Sequence, residues 1–282
     1  MQARFTQATA AFDQVSRTGA WTFTNVGDDG LQTDWERLSQ PAGFTEKDGR
    51  LTVSGSGDIA PAGHEAGPTL EFVLAGVVVA LVAVIVVAVL FITGEHRTGL
   101  IRTTLAAMPA RGRLVAVKAA VIGGVSFVCG LVATAVSVPL ASHLVVANGN
   151  YLLPTSLGTR VRVIVGAALL LSLAAILAYA LGSAIRRGLL AVTVAIVLIV
   201  LPYLLATASL LPDGVAAWLL RLTPAAGFAF KQVLPAYHQV LKPYTPAEGY
   251  FPLSPWAGLG VLAVWALGVL ALAAYRARRA DA

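Results

Sequence analysis

From about residue 72 onward the chain alternates between long apolar runs and short polar gaps. Five runs are long enough to cross a bilayer, at roughly 72–93, 115–140, 163–185, 189–211 and 256–275. About 20 apolar residues span a hydrocarbon core of ~30 Å. Each run predicts a helix, because lipid offers no partner for backbone N–H and C=O groups. Residues 1–68 read differently. "GAWTFTNVGDDGLQTDW" and "FTEKDGRLTVSGSGD" are polar and divided by Gly/Asp turns, which predicts short strands. "KDG" followed by "RLTV" predicts a hairpin. The expected fold class is an all-α polytopic membrane protein of about five transmembrane helices, residues 69–282. A small β-rich extracytoplasmic segment, residues 1–68, precedes it.

Composition sharpens this division. Hydrophobic residues make up 57% of the 282 and charged residues only 12%. A soluble domain carries about 25% charged residues. Most acids precede residue 72; beyond it stand only Glu95, Asp213, Glu248 and Asp281. The net charge of +6 does not point to nucleic acid, because the basic residues sit at the ends of apolar runs. There they anchor helices and set orientation. Arg97, Arg102, Arg111, Arg113, Lys118, Arg186, Arg187, Arg276, Arg278 and Arg279 fall on one side. Arg160, Arg162, Arg221, Lys231 and Lys242 fall on the other, in longer loops. The first side is expected to be cytoplasmic, with the C-terminus inside and the N-terminus outside a plasma (cytoplasmic) membrane. Lys118, one turn into its run, is expected to snorkel to the headgroups. Trp256, Tyr151 and Tyr275 suit interfacial positions.

Small residues at four-residue spacing, Gly76 with Ala80 and Gly166 with Leu170 beside Ala167 and Ala168, predict close helix packing. Pro202 predicts a kink. Cys129 lies in an apolar run and offers neither a disulfide nor a metal cluster. "GSGD" at 55–58 matches a protease motif in letters only, since no span carries an aspartate to pair with it. The same stretch opens no helix, as a dinucleotide turn requires, and Pro61 follows. His64 and Glu65 are adjacent, not four apart, so they form no zinc helix. No catalytic triad, phosphate loop, metal set or cofactor motif is present in the sequence.

Two loops carry more information. Over 94–108 a helical reading places Leu100, Ile101, Leu105 and Met108 on one side. Glu95, Thr98 and Arg102 fall on the opposite side, at spacings of three and four. Pro109 and Gly112 are expected to stop it. A short amphipathic helix at the cytoplasmic surface follows. Basic residues suit an anionic-lipid anchor. Glu95, Thr98, Thr103 and Thr104 suit a docking surface for another protein. The second loop, 212–255, is broken by Pro212, Pro224 and Pro235. Its apolar pieces, too short to cross, predict external or re-entrant helices, the first capped by Asp213. His238 reads as an ordinary surface histidine.

"LFITGEHRTGLIRTTLAAMPARGRLVAVKA" resembles the cytoplasmic loop of type-2 ATP-binding-cassette (ABC) exporter permeases. "VLPYLLATASLLP", "LLRLTPAAGFAF" and "GYFPLSPWAG" resemble the last two spans of that family and the loop between them. The resemblance covers residues 69–282. It implies that the loop forms a coupling helix docked on a separate ATPase subunit. Glu95, His96, Arg97, Thr98, Gly99, Ile101 and Arg102 would occupy the coupling positions, with Leu100 on the apolar face. It also implies a permease partner, either a second copy or a homologue, around a translocation path. ATP hydrolysis would belong to the partner subunit, and this chain would do no covalent chemistry.

The chain departs from the family in lacking the first of six spans and the amphipathic helix before it. "FTQATAAFDQVSRTGAW" resembles the last strand of a jelly-roll inserted after that span, so a truncated N-terminus is expected. The rival reading is a non-transporting anchor or sensor with an outer binding domain. An intramembrane enzyme would need paired ionisable groups within spans, which the sequence does not display. Span faces without evident buried charge suit a lipophilic cargo such as a drug or lipid.

Overall fold

A computed structural model describes residues 7–13, 19, 43–56, 70–98, 111–148, 152, 155–185, 187–233 and 244–279. The chain divides into two units, Met1–Ala66 with Pro235–Tyr244, and Gly67–Leu234 with Thr245–Ala282.

The first unit contains an antiparallel sheet of three strands, β1 (Gln7–Phe12), β2 (Gly43–Lys47) and β3 (Arg50–Ser56), in the order β1-β3-β2. Lys47 pairs with Arg50, leaving Asp48 and Gly49 as a two-residue turn. Both have positive φ, 53° and 75°. A primed hairpin turn requires this, and Asp-Gly supplies it at low steric cost. The hairpin expected at "KDG" is therefore present. β1 runs along the other edge of β3, from Gln7 opposite Ser56 to Phe12 opposite Leu51. Asp13 meets Arg50 at 2.9 Å, an exposed pair of little energetic weight. The strands expected in "GAWTFTNVGDDGLQTDW", residues 19–35, lie outside the described residues apart from Gly19. "GSGD" begins inside β3.

The second unit is helical. A single turn, α1 (Leu70–Val73), precedes α2 (Val77–Thr98), α3 (Arg111–Ala147), α4 (Leu157–Ile185), α5 (Gly188–Thr207), α6 (Asp213–Leu222) and α7 (Pro255–Arg279). Helices α2, α3, α4, α5 and α7 are long and apolar enough to cross a membrane, matching the five expected runs. The chain is a multi-pass membrane protein. The first run does not begin at residue 72 as one helix. A turn at Leu74–Gly76 separates α1 from α2. At the other end α2 continues through Thr98.

Helix α4 is the centre of the packing. It presents buried residues all round, among them Val163, Ala167, Leu170, Ala174, Leu177 and Ala178. A helix apolar on every side can be satisfied only inside a bundle or in lipid. α2, α3, α5 and α7 pack around it. Leu81, Ile85, Ala88, Val89 and Ile92 form the buried stripe of α2. Ala191, Ala195, Ile199 and Ala206 form that of α5. Polar ties are few: Ser172 Oγ donates to the Gly123 carbonyl at 2.8 Å, joining α4 to α3.

Small residues set these distances, but not everywhere expected. A β-carbon at Gly166 would meet Phe230 at 2.7 Å, so this face packs closely as expected. Gly76 and Ala80 are exposed, and a β-carbon at Gly76 would meet open space. Helix α3 runs for 37 residues and passes through Pro139; α5 likewise continues past Pro202. α3 exposes Val117, Val121, Val125, Val128, Val132, Val136, Leu140 and Leu144 along its length.

Asp213 is not a cap. Pro212 holds the N-cap position, and Asp213 is the first helical residue, where its charge faces the positive end of the helix. A tight 3₁₀ helix, Pro224–Lys231, follows α6 and is buried throughout. It is a packed insert rather than a surface helix. A β-carbon at Gly258 would fall on the Ala226 carbonyl oxygen, so α7 approaches this insert through a residue without a side chain. The Trp265 indole N–H donates to the Leu222 carbonyl at 2.8 Å, tying α6 to α7. Gly258→Ala should therefore lower thermal stability by about 1–3 kcal/mol, the usual cost of overpacking. Gly260→Ala, at a position with open space around it, should change little. Detergent-solubilised protein melted side by side with both variants checks this; equal melting would refute the close approach.

Candidate functional site

The candidate site lies where α2 ends and α3 begins. Of its residues, Glu95, His96, Arg97 and Thr98 belong to the last turn of α2. They continue the spanning helix and do not start a separate one. Gly99, Leu100, Ile101 and Arg102 lie outside the described residues, as do the side chains of His96, Arg97 and Thr98. The expected amphipathic face of 94–108 therefore falls mostly there. Gly112, expected to help stop that helix, instead sits in the first turn of α3.

Glu95 is placed in detail. Its carboxylate accepts a hydrogen bond from the Lys118 ammonium. The two side chains are 20% and 19% exposed. Lys118 was expected to reach outward to headgroups; it turns instead toward α2. The physical reason is proximity. The Glu95 carboxylate lies within hydrogen-bond reach of Lys118, and a carboxylate compensates an ammonium at a desolvated helix end better than distant headgroups do. Ionisable groups are thus paired near the ends of two spans, which the sequence did not display. The pair spans the base of the 99–110 connection and fixes where both of its ends start.

Neighbouring groups complete this end. Tyr179 of α4 lies with its ring 6.4 Å from Phe91, and its buried hydroxyl has no hydrogen-bond partner among the described residues. The Arg278 side chain of α7 lies against Gly112. Arg279 stacks over Tyr275 at 4.7 Å. The exposed Arg113 adds to the positive charge. Groups of His, Cys, Asp and Glu able to hold a metal are absent among the described residues. Cys129 is free and exposed.

The opposite end of the bundle holds residues whose setting the sequence did not reveal. Lys231, expected to be one of the charges at run ends, is 4% exposed. Its ammonium donates to the Tyr203 hydroxyl at 2.9 Å. Tyr203 in turn stacks on Phe228, with centroids 3.9 Å apart. Arg162 donates from Nη2 to the Gln232 carbonyl at 2.6 Å. The available signal was a lysine ending an apolar, proline-led stretch, "PAAGFAFK". His238 lies outside the described residues.

No family model, curated protein or solved structure matches this chain.

The ion pair is open to a direct test. Lys118→Glu or Glu95→Lys sets two like charges side by side in a partly buried place and should cost on the order of 3 kcal/mol. The exchanged variant, Glu95→Lys with Lys118→Glu, should regain most of that loss. Thermal melts of the three variants form the cycle. Additive losses in the double variant would show that the two residues do not act as a pair.

Proposed function

We propose that this chain is the membrane permease subunit of an ABC exporter, driven by a separate ATPase subunit that docks on the segment beginning at Glu95. The observation that carries the reading is the Glu95–Lys118 tie at the base of the 99–110 connection. It joins two long spanning helices where the connection leaves them. Force applied to that connection would move α2 and α3 together, and α4, packed against both, would follow. ATP-driven closure of the ATPase dimer would then shift the membrane subunits between inward and outward states. Glu95 acts in this scheme as a positioning residue, because its carboxylate is engaged within the chain. Direct docking falls to the residues after it, Leu100 and Ile101 on the apolar face and Arg102 on the polar one. The protein would work as a pair with a second copy or a homologous permease in the plasma membrane.

The span exteriors are apolar, which suits a lipophilic molecule. Lys231 corrects the premise that charge is absent from the interior, so a cargo with one charged group also fits. The alternative is a non-transporting anchor or sensor whose outer domain binds a carbohydrate or protein and whose basic loops bind lipid.

The test uses the protein with the ATPase subunit that co-purifies with it. Leu100→Asp should leave insertion and expression unchanged while reducing ATPase co-purification and stimulation tenfold or more. A fully retained, fully stimulated ATPase would overturn the docking assignment. Topology is tested separately, in a Cys129→Ser background that removes the exposed native thiol. An impermeant thiol reagent should label Ser156→Cys from outside intact cells, and Arg187→Cys only after permeabilisation. The reverse pattern would invert the orientation.

A further inference from the structure

One end of the helical bundle gathers most of the positive charge beyond residue 72. α2 ends there and α3 begins there, tied by Glu95 and Lys118. α4 ends and α5 begins at the same level: a β-carbon at Gly182 would meet Ile92, and one at Gly188 would meet Thr93 Oγ1 at 3.2 Å. α7 ends there too, since its Arg278 side chain lies against Gly112 of α3. The sequence puts ten basic residues in the segments that meet here, against Glu95 and Asp281. Glu95 is taken by Lys118. Every other acid of the chain lies in a segment that joins the helices at their opposite ends. The excess does not depend on how the 99–110 connection is folded, because that connection carries no acid.

The charge is not spread evenly. Gly112 is buried in the first turn of α3, and a side chain there would push Arg278 away. Arg111 and Arg113 flank that glycine, so three arginines are anchored at one junction of α3 and α7. Arg113 and Arg278 are exposed. Arg279, next along the chain, stacks over the exposed ring of Tyr275 at 4.7 Å. An exposed tyrosine at the end of a spanning helix suits the membrane–water interface. Like charges held together repel, and an anionic surface turns that repulsion into attraction. We propose that the α3–α7 junction is a contact site for anionic lipid headgroups. It sits where the spanning helices leave the hydrocarbon, which is the level at which headgroups lie. The planar fork of arginine suits their phosphate oxygens.

The test requires no ATPase, so its failure leaves the coupling proposal standing. The protein is reconstituted in phosphatidylcholine with a trace of spin-labelled lipid. Electron paramagnetic resonance then reads the fraction of label immobilised at the protein surface. Phosphatidylglycerol should be held about fivefold more tightly than phosphatidylcholine at low salt, the worth of one basic residue near an anionic headgroup. In about 1 M salt, where screening shortens to about 3 Å, most of that preference should vanish. Arg113→Gln combined with Arg278→Gln should lower the preference by about half or more. Both side chains are exposed, so this double variant should melt with the parent. Arg160→Gln, at the opposite end of α4, should leave the preference unchanged. Equal holding of the two lipids by the parent protein overturns the proposal and leaves these arginines to an acidic protein surface. A preference that survives the double substitution intact overturns it as well.

Discussion

The second unit depends on how closely other segments can approach α4. In lipid there is little hydrophobic gain from bringing two apolar helices together, so contact area and packing must hold them. α4 supplies this with alanines, glycines and fully buried leucines on every side. Gly166 admits Phe230, and Gly182 admits Ile92 of α2. Within the apolar middle, Ser172 of α4 ties to α3 through a short hydroxyl that donates to the Gly123 carbonyl. The charged features lie at the two ends of this apolar assembly. One end holds a carboxylate and an ammonium that satisfy each other. The other holds two cations that do not find an anion in the described chain.

This asymmetry organises the functional picture. The end that holds the ion pair has the geometry of a joint: two helix ends tied together, with a connection leaving from both. The Pro224–Lys231 insert belongs to the second end, and it is wedged against α4, α5 and α7. A shift of α4 driven from the first end would therefore be felt by the residues around Lys231.

Much of the fold was legible in the sequence, for physical reasons. Lipid-crossing helices announce themselves by uninterrupted apolar length, and all five did. The Asp-Gly hairpin was equally plain, because only a few residues tolerate positive φ. Ends were less legible. The first run was expected to end near residue 93, with a separate helix over 94–108. The partner of Glu95, 23 residues away, compensates the acid and lets the helix continue. Pairing of this kind depends on register between two helices, which no single run encodes. Lys231 was misjudged for a related reason. A lysine beside a proline-broken loop looks solvated, and its burial is set by Tyr203 from a helix distant in the chain. Of the candidate site, the position of Glu95 was readable, while its engagement with Lys118 was not.

The length of α3 has a consequence for the surrounding membrane. Its 37 residues extend about 56 Å at 1.5 Å per residue. The exposed apolar ridge from Val117 to Leu144 alone covers about 40 Å by the same rise. That is longer than a hydrocarbon layer of about 30 Å. Keeping the whole ridge in hydrocarbon demands that α3 lean by about 40° or that the lipids beside it stretch. α3 is thus matched to a thick bilayer, and a thin one would press it toward a steeper lean. Because α3 carries Lys118 at its base, a change in lean would swing the tied ends of α2 and α3 as well. Lipid chain length then becomes a mechanical input at the point where α2 and α3 are tied.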